Sequence, residues 1–392
     1  MLKIGVYYPA YLEQFYAGRP GLAALPYDAQ HAALIDDCFG SSDFWTTALA
    51  ELGYETRDLV ANAEPLQKRW AAERGLSFAQ DNWLFDIAEA QIRDFSPDVL
   101  IVADYSTVTA AFLRRIRDAC PTIRLVLGWC GAPYGDGAVF GECDIVLSCV
   151  PELVAHFRAE GHRSRHVNHA FEPRVLKKID LTATSSADFV FIGSIVKADQ
   201  FHLEREKILS RLVKETGLQI WSESGPQQQP DPPQSVTANL GRAARRAARL
   251  FVGGASKTSS SLDEHIARRA RPPLFGLAMF QQLHDSRVAL NTHIDVSTES
   301  ASNMRLFEAT GVGTCLLTDW KTNLHELFEL DAEVIAYRDA SECVEKVKYL
   351  LEHEAERRSV AAAGQRRTLR EHTFTSRAAQ IDAIIHEALS NT

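Results

Sequence analysis

The sequence has no C-x-x-C pair, no D-x-D triplet and no apolar run long enough to span a bilayer. Its 7 cysteines (Cys38, Cys120, Cys130, Cys143, Cys149, Cys315 and Cys343) are odd in number and stand singly. That excludes a thiolate zinc cluster and argues against a disulfide framework, so a reduced, cytoplasmic setting is expected. A transmembrane helix needs about 18 or more apolar residues, and none is found. The opening Met1–Tyr8 is too short for a signal sequence and reads as a strand. Acidic residues outnumber basic ones, 51 to 42, and the formal net charge of −9 speaks against an extended nucleic-acid surface. The exception is Arg242, Arg245, Arg246 and Arg249, spaced i, i+3, i+4, i+7 along one helix face. Such a stripe is a solvated face, or peripheral contact with anionic lipid at the inner face of the membrane or with an acidic partner.

What is present is ordinary globular material: 392 residues, 46% of them hydrophobic, enough for two cores. The first half alternates short apolar runs with amphipathic stretches. Leu2–Tyr8, Asp98–Ala103, Arg124–Gly128, Asp144–Cys149 and His166–Asn168 read as strands. Asp43–Leu52, Thr107–Ala119 and Glu152–Glu160 read as helices, the first closed by Gly53. The pattern restarts after the Ser/Thr-rich stretch Leu181–Ala187. Strands are expected at Asp188–Gly193, Gln219–Trp221, Arg287–Asn291, Thr314–Asp319 and Glu333–Tyr337, with a helix over Leu203–Thr216 and long helices from Ser341. Continuous apolar runs alternating with helices predict parallel sheets and an α/β class. The expected division is 1–172, a hinge at 173–187, a second domain over 188–365, and a terminal helix over 366–392 that packs back on the first domain. Residues 224–272, opening with the proline-rich Gly225–Pro233, read as an insertion. His284 and His293 lack zinc spacing with any cysteine and read as structural, or as side chains that support a site from behind it.

The most specific segment is Ser302-Asn303-Met304-Arg305-Leu306-Phe307-Glu308-Ala309-Thr310-Gly311-Val312-Gly313, running into Thr314–Asp319. Arg305 and Glu308 share one helix face. An arginine at a helix start offers a forked, permanent cation to a diphosphate, and the glutamate one turn on can accept from two ribose hydroxyls. Gly311 and Gly313 allow a tight helix-to-strand turn close to a ligand. The segment resembles the donor-site motif of GT-B glycosyltransferases, most closely the CgeB-like branch of the glycosyl transferases group 1 families. The resemblance continues at Phe191-Ile192-Gly193-Ser194, similar to the glycine-ended first strand of a donor domain. Ser194 stands where relatives often carry arginine, which leaves Lys197 or Arg205 to supply that charge. Gly40-Ser41-Ser42-Asp43 resembles the glycine-rich loop of the acceptor domain. Residues 9–39 then form an insertion whose Tyr11, Phe15 and Tyr16 are available for stacking on sugar.

The resemblance implies two Rossmann-like domains facing across a cleft. It implies a nucleotide-sugar substrate, a glycan, lipid-linked or protein acceptor, and no metal or other cofactor. Gly193, Ser194, Lys197, Arg205, Trp221, Asn303, Arg305 and Glu308 become the donor set. Gly40, Ser41, Trp129 and Tyr134 become the acceptor side, and Asp43 or Asp104 would be the base. Many relatives pair two glutamates in an E-x7-E pattern. Here Glu299 lies one position out of register with Glu308, and the stereochemistry stays open. Two other readings stay open on the same residues: a nucleotide-sugar epimerase, and a non-catalytic protein that binds nucleotide or glycan.

Overall fold

The computed structural model describes residues 1–183, 185–196, 202–223 and 263–390. Lys197 and the arginine stripe at 242–249 lie outside the described residues. Within them the chain forms two compact units, one of Met1–Val167 with the chain from Ala378, the other of Asn168 to Arg377. The division therefore falls ahead of the 173–187 stretch. No described helix is long and apolar enough to cross a membrane.

The first unit holds β1 (Leu2–Gly5), β2 (Arg57–Val60), β3 (Val99–Val102), β4 (Leu125–Trp129), β5 (Ile145–Ser148) and β6 (Ser164–His166). They form one sheet in the order β2-β1-β3-β4-β5-β6. Every neighbouring pair is parallel. Val99–Val102 and Ile145–Ser148 are buried throughout, which is why they read as continuous apolar runs. β2 has no such run. Its Asp58 is buried, and the charge is met by Lys3 of β1 at 2.7 Å. Tyr11 and Phe15 correct the expectation of sugar-stacking aromatics: each is 2% exposed, in the helix Pro9–Ala17. Tyr11 stacks on Phe39 at 3.8 Å, so its face is spent on packing. From Ala378 the terminal helix Phe374–Ser390 packs with this unit; Tyr54 donates to Asp382 at 2.7 Å and Arg165 pairs with Glu387 at 2.7 Å.

The second unit holds β7 (Ala187–Ile192), β8 (Gln219–Trp221), β9 (Ala270–Arg271), β10 (Ser286–Asn291), β11 (Cys315–Asp319) and β12 (Ile335–Tyr337). Their order is β12-β11-β10-β7-β8-β9, again parallel throughout. Its core gathers Phe189, Leu209, Val288, Leu290 and Leu317. The expected insertion at 224–272 is too long at its far end. The helix Glu264–Arg269 packs here and Ala270–Arg271 pairs with β8, so both belong to the fold. From β7 the chain builds toward β8 and β9, and from β10 toward β11 and β12. The order thus reverses between β7 and β10, the place where open α/β sheets leave a crevice beyond the strand carboxyl ends.

Candidate donor site and acceptor-side loops

The carboxyl ends of β7 and β10 are tied together by two arginines. Arg205, on the helix Leu203–Glu215, is 7% exposed. Its Nε donates to Thr292 Oγ1 at 2.9 Å, and its terminal nitrogens donate to the carbonyls of Thr292 and Ser194 at 2.8 and 2.9 Å. A fourth contact joins it to His202 at 2.8 Å. Burial brings the guanidinium down to about 10, against the pull of Asp319. The expectation that Arg205 supplies phosphate charge is corrected. Four of its five N–H hydrogens are engaged within the chain, and it acts as a clamp between the ends of β7 and β10.

Arg305 is different. It opens the seven-residue helix Arg305–Gly311 and meets Glu308 at 2.9 Å. It also donates to the carbonyl of Ile192, the last residue of β7, at 3.1 Å and touches Met279 Sδ at 3.1 Å. A guanidinium has five N–H hydrogens, so these contacts leave some unused. Its Nε is buried without a hydrogen-bond partner among the described residues. Glu308 is 7% exposed. Burial pushes its carboxyl up from the ordinary value, and Arg305 pulls the other way. The sequence motif therefore survives folding as an ion pair at the strand switch.

Asn303 precedes this helix and exchanges amide hydrogen bonds with Asn291 of β10, at 3.1 and 2.6 Å. That pair anchors the approach to Arg305. Gly193 donates to the carbonyl of Trp221 at 3.0 Å, and a β-carbon there would press on the Phe191 ring at 3.2 Å. Ser194 offers its carbonyl to Arg205. Trp221 is 6% exposed, with Arg271 lying 4.9 Å over its ring. It is a core side chain under a cation, which corrects its assignment to nucleobase contact. Glu299 is exposed, and its carbonyl holds Thr322. Among the described residues no three His, Cys, Asp or Glu side chains are grouped as metal ligands would be.

Sequence reasoning passed over one pair in this site. β10 ends at Asn291 and β11 ends at Asp319; His293 and Asp319 meet there, Nδ1 to carboxylate, at 2.7 Å. The His293 backbone N–H lies 3.2 Å from each Asp319 oxygen. Burial raises the Asp319 carboxyl, but His293 and Lys321 outweigh it and bring it down to about 2. The usable signal was position: both residues stand at the ends of adjacent parallel strands. A carboxyl whose folded value lies below its unfolded 3.8 stabilises the fold above that value and ceases to do so as pH falls toward 2. Asp319→Asn is therefore expected to cost about 2 kcal/mol near neutral pH. The wild-type advantage should shrink below pH 3.8 and vanish toward 2, as read from urea midpoints of both proteins. A difference that does not change with pH would refute the charge-based origin.

In the first unit the loop before the helix Phe44–Ala50 is bent sharply. Gly40 has φ +61, flanked by Cys38 at +56 and Ser42 at +33. Only glycine takes this region freely, so the other two are held by their surroundings. Lys3 donates to the Ser42 carbonyl and Ser42 donates to that of Ile35 at 3.0 Å. Ser41 supplies a carbonyl to Phe44 N at 2.9 Å. Asp43 stands at the N-cap and accepts from the Thr47 hydroxyl at 2.8 Å. Trp45 on this helix reaches Trp129 at the end of β4, with ring centroids 5.9 Å apart. Tyr134 stacks on Phe157 at 5.4 Å and shares its hydroxyl with His156 at 3.0 Å. Asp104 is corrected as a base. Its oxygens accept from Ser106 Oγ at 2.6 Å and Thr107 N at 2.7 Å, so it caps its own loop.

Residues 237–383 match the family described as glycosyl transferase-like. Among solved structures the chain is similar to sucrose-phosphate synthase of Thermosynechococcus elongatus, at 10% identity and a TM-score of 0.55, covering 100% of this chain and 99% of that one. It is similar to AviGT4, a glycosyltransferase involved in avilamycin A biosynthesis, at 12% identity and 0.53, covering 100% and 98%. It is similar to Anabaena HepE in complex with UDP and glucose, at 11% identity and 0.51, covering 98% of each. No curated protein matches the chain. The two parallel sheets are those of the GT-B fold that these solved glycosyltransferases share, and the segment matching the glycosyl transferase-like family lies largely in the second of them. The match covers the segment that carries Arg305, Glu308 and the His293–Asp319 pair.

Proposed function

We propose that the chain transfers a sugar from a nucleoside-diphosphate sugar, with UDP the first nucleotide to test, to a hydroxyl of a glycan, lipid-linked or protein acceptor. The observation that carries this reading is the ion pair of half-buried Arg305 with buried Glu308 at the β7/β10 switch, inside the glycosyl transferase-like segment. Glu308 would accept from the ribose hydroxyls. Arg305 would stabilise the charge that develops on the leaving diphosphate, without a metal. Asn303 and Arg205 hold the backbone that places them. HepE binds UDP and glucose in a related fold, which supports UDP as the starting nucleotide. The acceptor would enter beside the strained loop at Gly40–Asp43 and the Trp129 and Tyr134 rings. The work would be done in the cytoplasm, with the arginines at 242–249 lying on anionic lipid at the inner face of the membrane.

Thermal unfolding with UDP, GDP, dTDP and CDP, with magnesium and with a chelator, tests the donor half. A ligand at about 100 times its Kd adds about 2.7 kcal/mol. A rise with one nucleotide, indifferent to the chelator, is expected, followed by turnover of the corresponding sugar nucleotide. No rise with any of them at millimolar concentration would overturn the reading.

A further inference from the structure

We propose that His293 is a positioning residue of this site and that its Nε2 accepts a hydrogen bond from a hydroxyl of the sugar being transferred. The inference rests on the glycosyl-transfer reading and deepens it. Asp319 holds the histidine twice, through the backbone N–H and through Nδ1 at 2.7 Å. A carboxylate at Nδ1 selects the tautomer with the hydrogen there, which leaves a lone pair on Nε2. That Nε2 is buried and has no hydrogen-bond partner among the described residues. The residue is 4% exposed. An unmet buried acceptor costs about 1–3 kcal/mol, and native chains rarely leave one. The structure thus holds, at rigid strand ends, an acceptor whose donor must come from outside the described chain.

The chemistry narrows what that donor is. Phosphate oxygens at neutral pH only accept, so the diphosphate does not satisfy a lone pair. The ribose hydroxyls have Glu308. A sugar carries several further hydroxyls, each a donor. The location agrees: His293 follows Thr292, which Arg205 ties to the Ser194 carbonyl beyond β7, while Arg305 holds the Ile192 carbonyl at the end of that strand. Arg305 Nε, likewise without a partner among the described residues, is a donor and suits the phosphate. One orphan acceptor and one orphan donor together match a ligand with hydroxyls at one end and anionic oxygens beside them. A buried acceptor also discriminates, because a sugar lacking the hydroxyl leaves it unpaired again.

The test compares each nucleotide with its sugar conjugate by calorimetric titration: UDP with UDP-glucose, and GDP with GDP-mannose, using the pair that wild type binds. His293→Phe keeps the bulk and removes the acceptor. It is expected to leave the nucleotide Kd within about twofold and to weaken the sugar nucleotide about tenfold or more, the size of one lost hydrogen bond to a buried group. His293→Gln, which retains an acceptor oxygen, should recover part of the loss, and it serves if the phenylalanine variant does not fold. Equal weakening of nucleotide and sugar nucleotide, or no change in either, overturns the assignment of His293 and leaves the transfer reading standing. Wild type that binds none of UDP, GDP, dTDP and CDP, and neither sugar nucleotide, overturns both.

Discussion

Glu308→Gln is expected to weaken UDP about 10- to 100-fold, and uridine by a similar factor. A hydrogen bond to a charged group is worth about 1.5–3 kcal/mol, and the amide has one acceptor where the carboxylate has two. Arg305→Met should weaken UDP more than uridine, because uridine has no phosphate for the guanidinium to meet. The two effects are coupled. Burial alone favours protonated Glu308, and Arg305, 2.9 Å away, is what opposes that. Removing Arg305 thus shifts the Glu308 carboxyl further up, toward its protonated form, and weakens the ribose contact as well. The double variant should lose less than the sum of the singles by well over 0.5 kcal/mol, beyond the usual scatter of additivity. Titrating uridine and UDP into the four proteins measures this. Strict additivity would mean the pair does not act as a unit. Uridine binding untouched by Glu308→Gln would remove the ribose role.

The order of difficulty in reading this chain follows from what each feature depends on. The apolar strands announce themselves because burial on both faces fills Val99–Val102 or Cys315–Leu317 with hydrophobic residues. β2 stays hidden because its buried Asp58 is balanced by Lys3, more than 50 residues away. β9 has two residues and no pattern to show. In the site, Arg305 and Glu308 are legible because their pairing is local, three positions along one helix. Arg205 and Asp104 look the same in sequence as free functional groups; only their hydrogen-bond partners show that one is a clamp and the other a loop cap. His293 and Asp319 meet because two strand ends are adjacent, and adjacency of strands is a property of sheet order. Chemistry carried by one helix is readable, and chemistry assembled by topology is not.

Gly311→Ala should be among the most damaging single-atom additions to the second unit. The glycine was read as a turn residue near a ligand, but the turn is made by Gly313, at φ +85. Gly311 is the last residue of the helix that carries Arg305 and Glu308, and its missing side chain is where the Phe171 ring sits. A β-carbon there would overlap three ring atoms of Phe171. The ring cannot easily retreat. Phe171 is 1% exposed, and its backbone is fixed by bonds from its N–H to the His372 carbonyl at 2.8 Å and from Phe374 N to its own carbonyl at 3.2 Å. Overpacking of this kind costs about 3 kcal/mol or more, and a fall in Tm of about 6–12 °C is expected for a unit of this size. Gly313→Ala meets only the flexible end of Gln365, at 3.1 Å, and its cost should stay near the 1–2 kcal/mol of an alanine in the left-handed region. The decisive comparison is Gly311→Ala with Phe171→Leu added. If the ring is the obstacle, the smaller side chain restores a large part of the lost stability. It also restores nucleotide affinity, because the helix end regains its place. Failure of the leucine to rescue, with Gly311→Ala still unstable, would locate the damage in the helix backbone rather than in the ring.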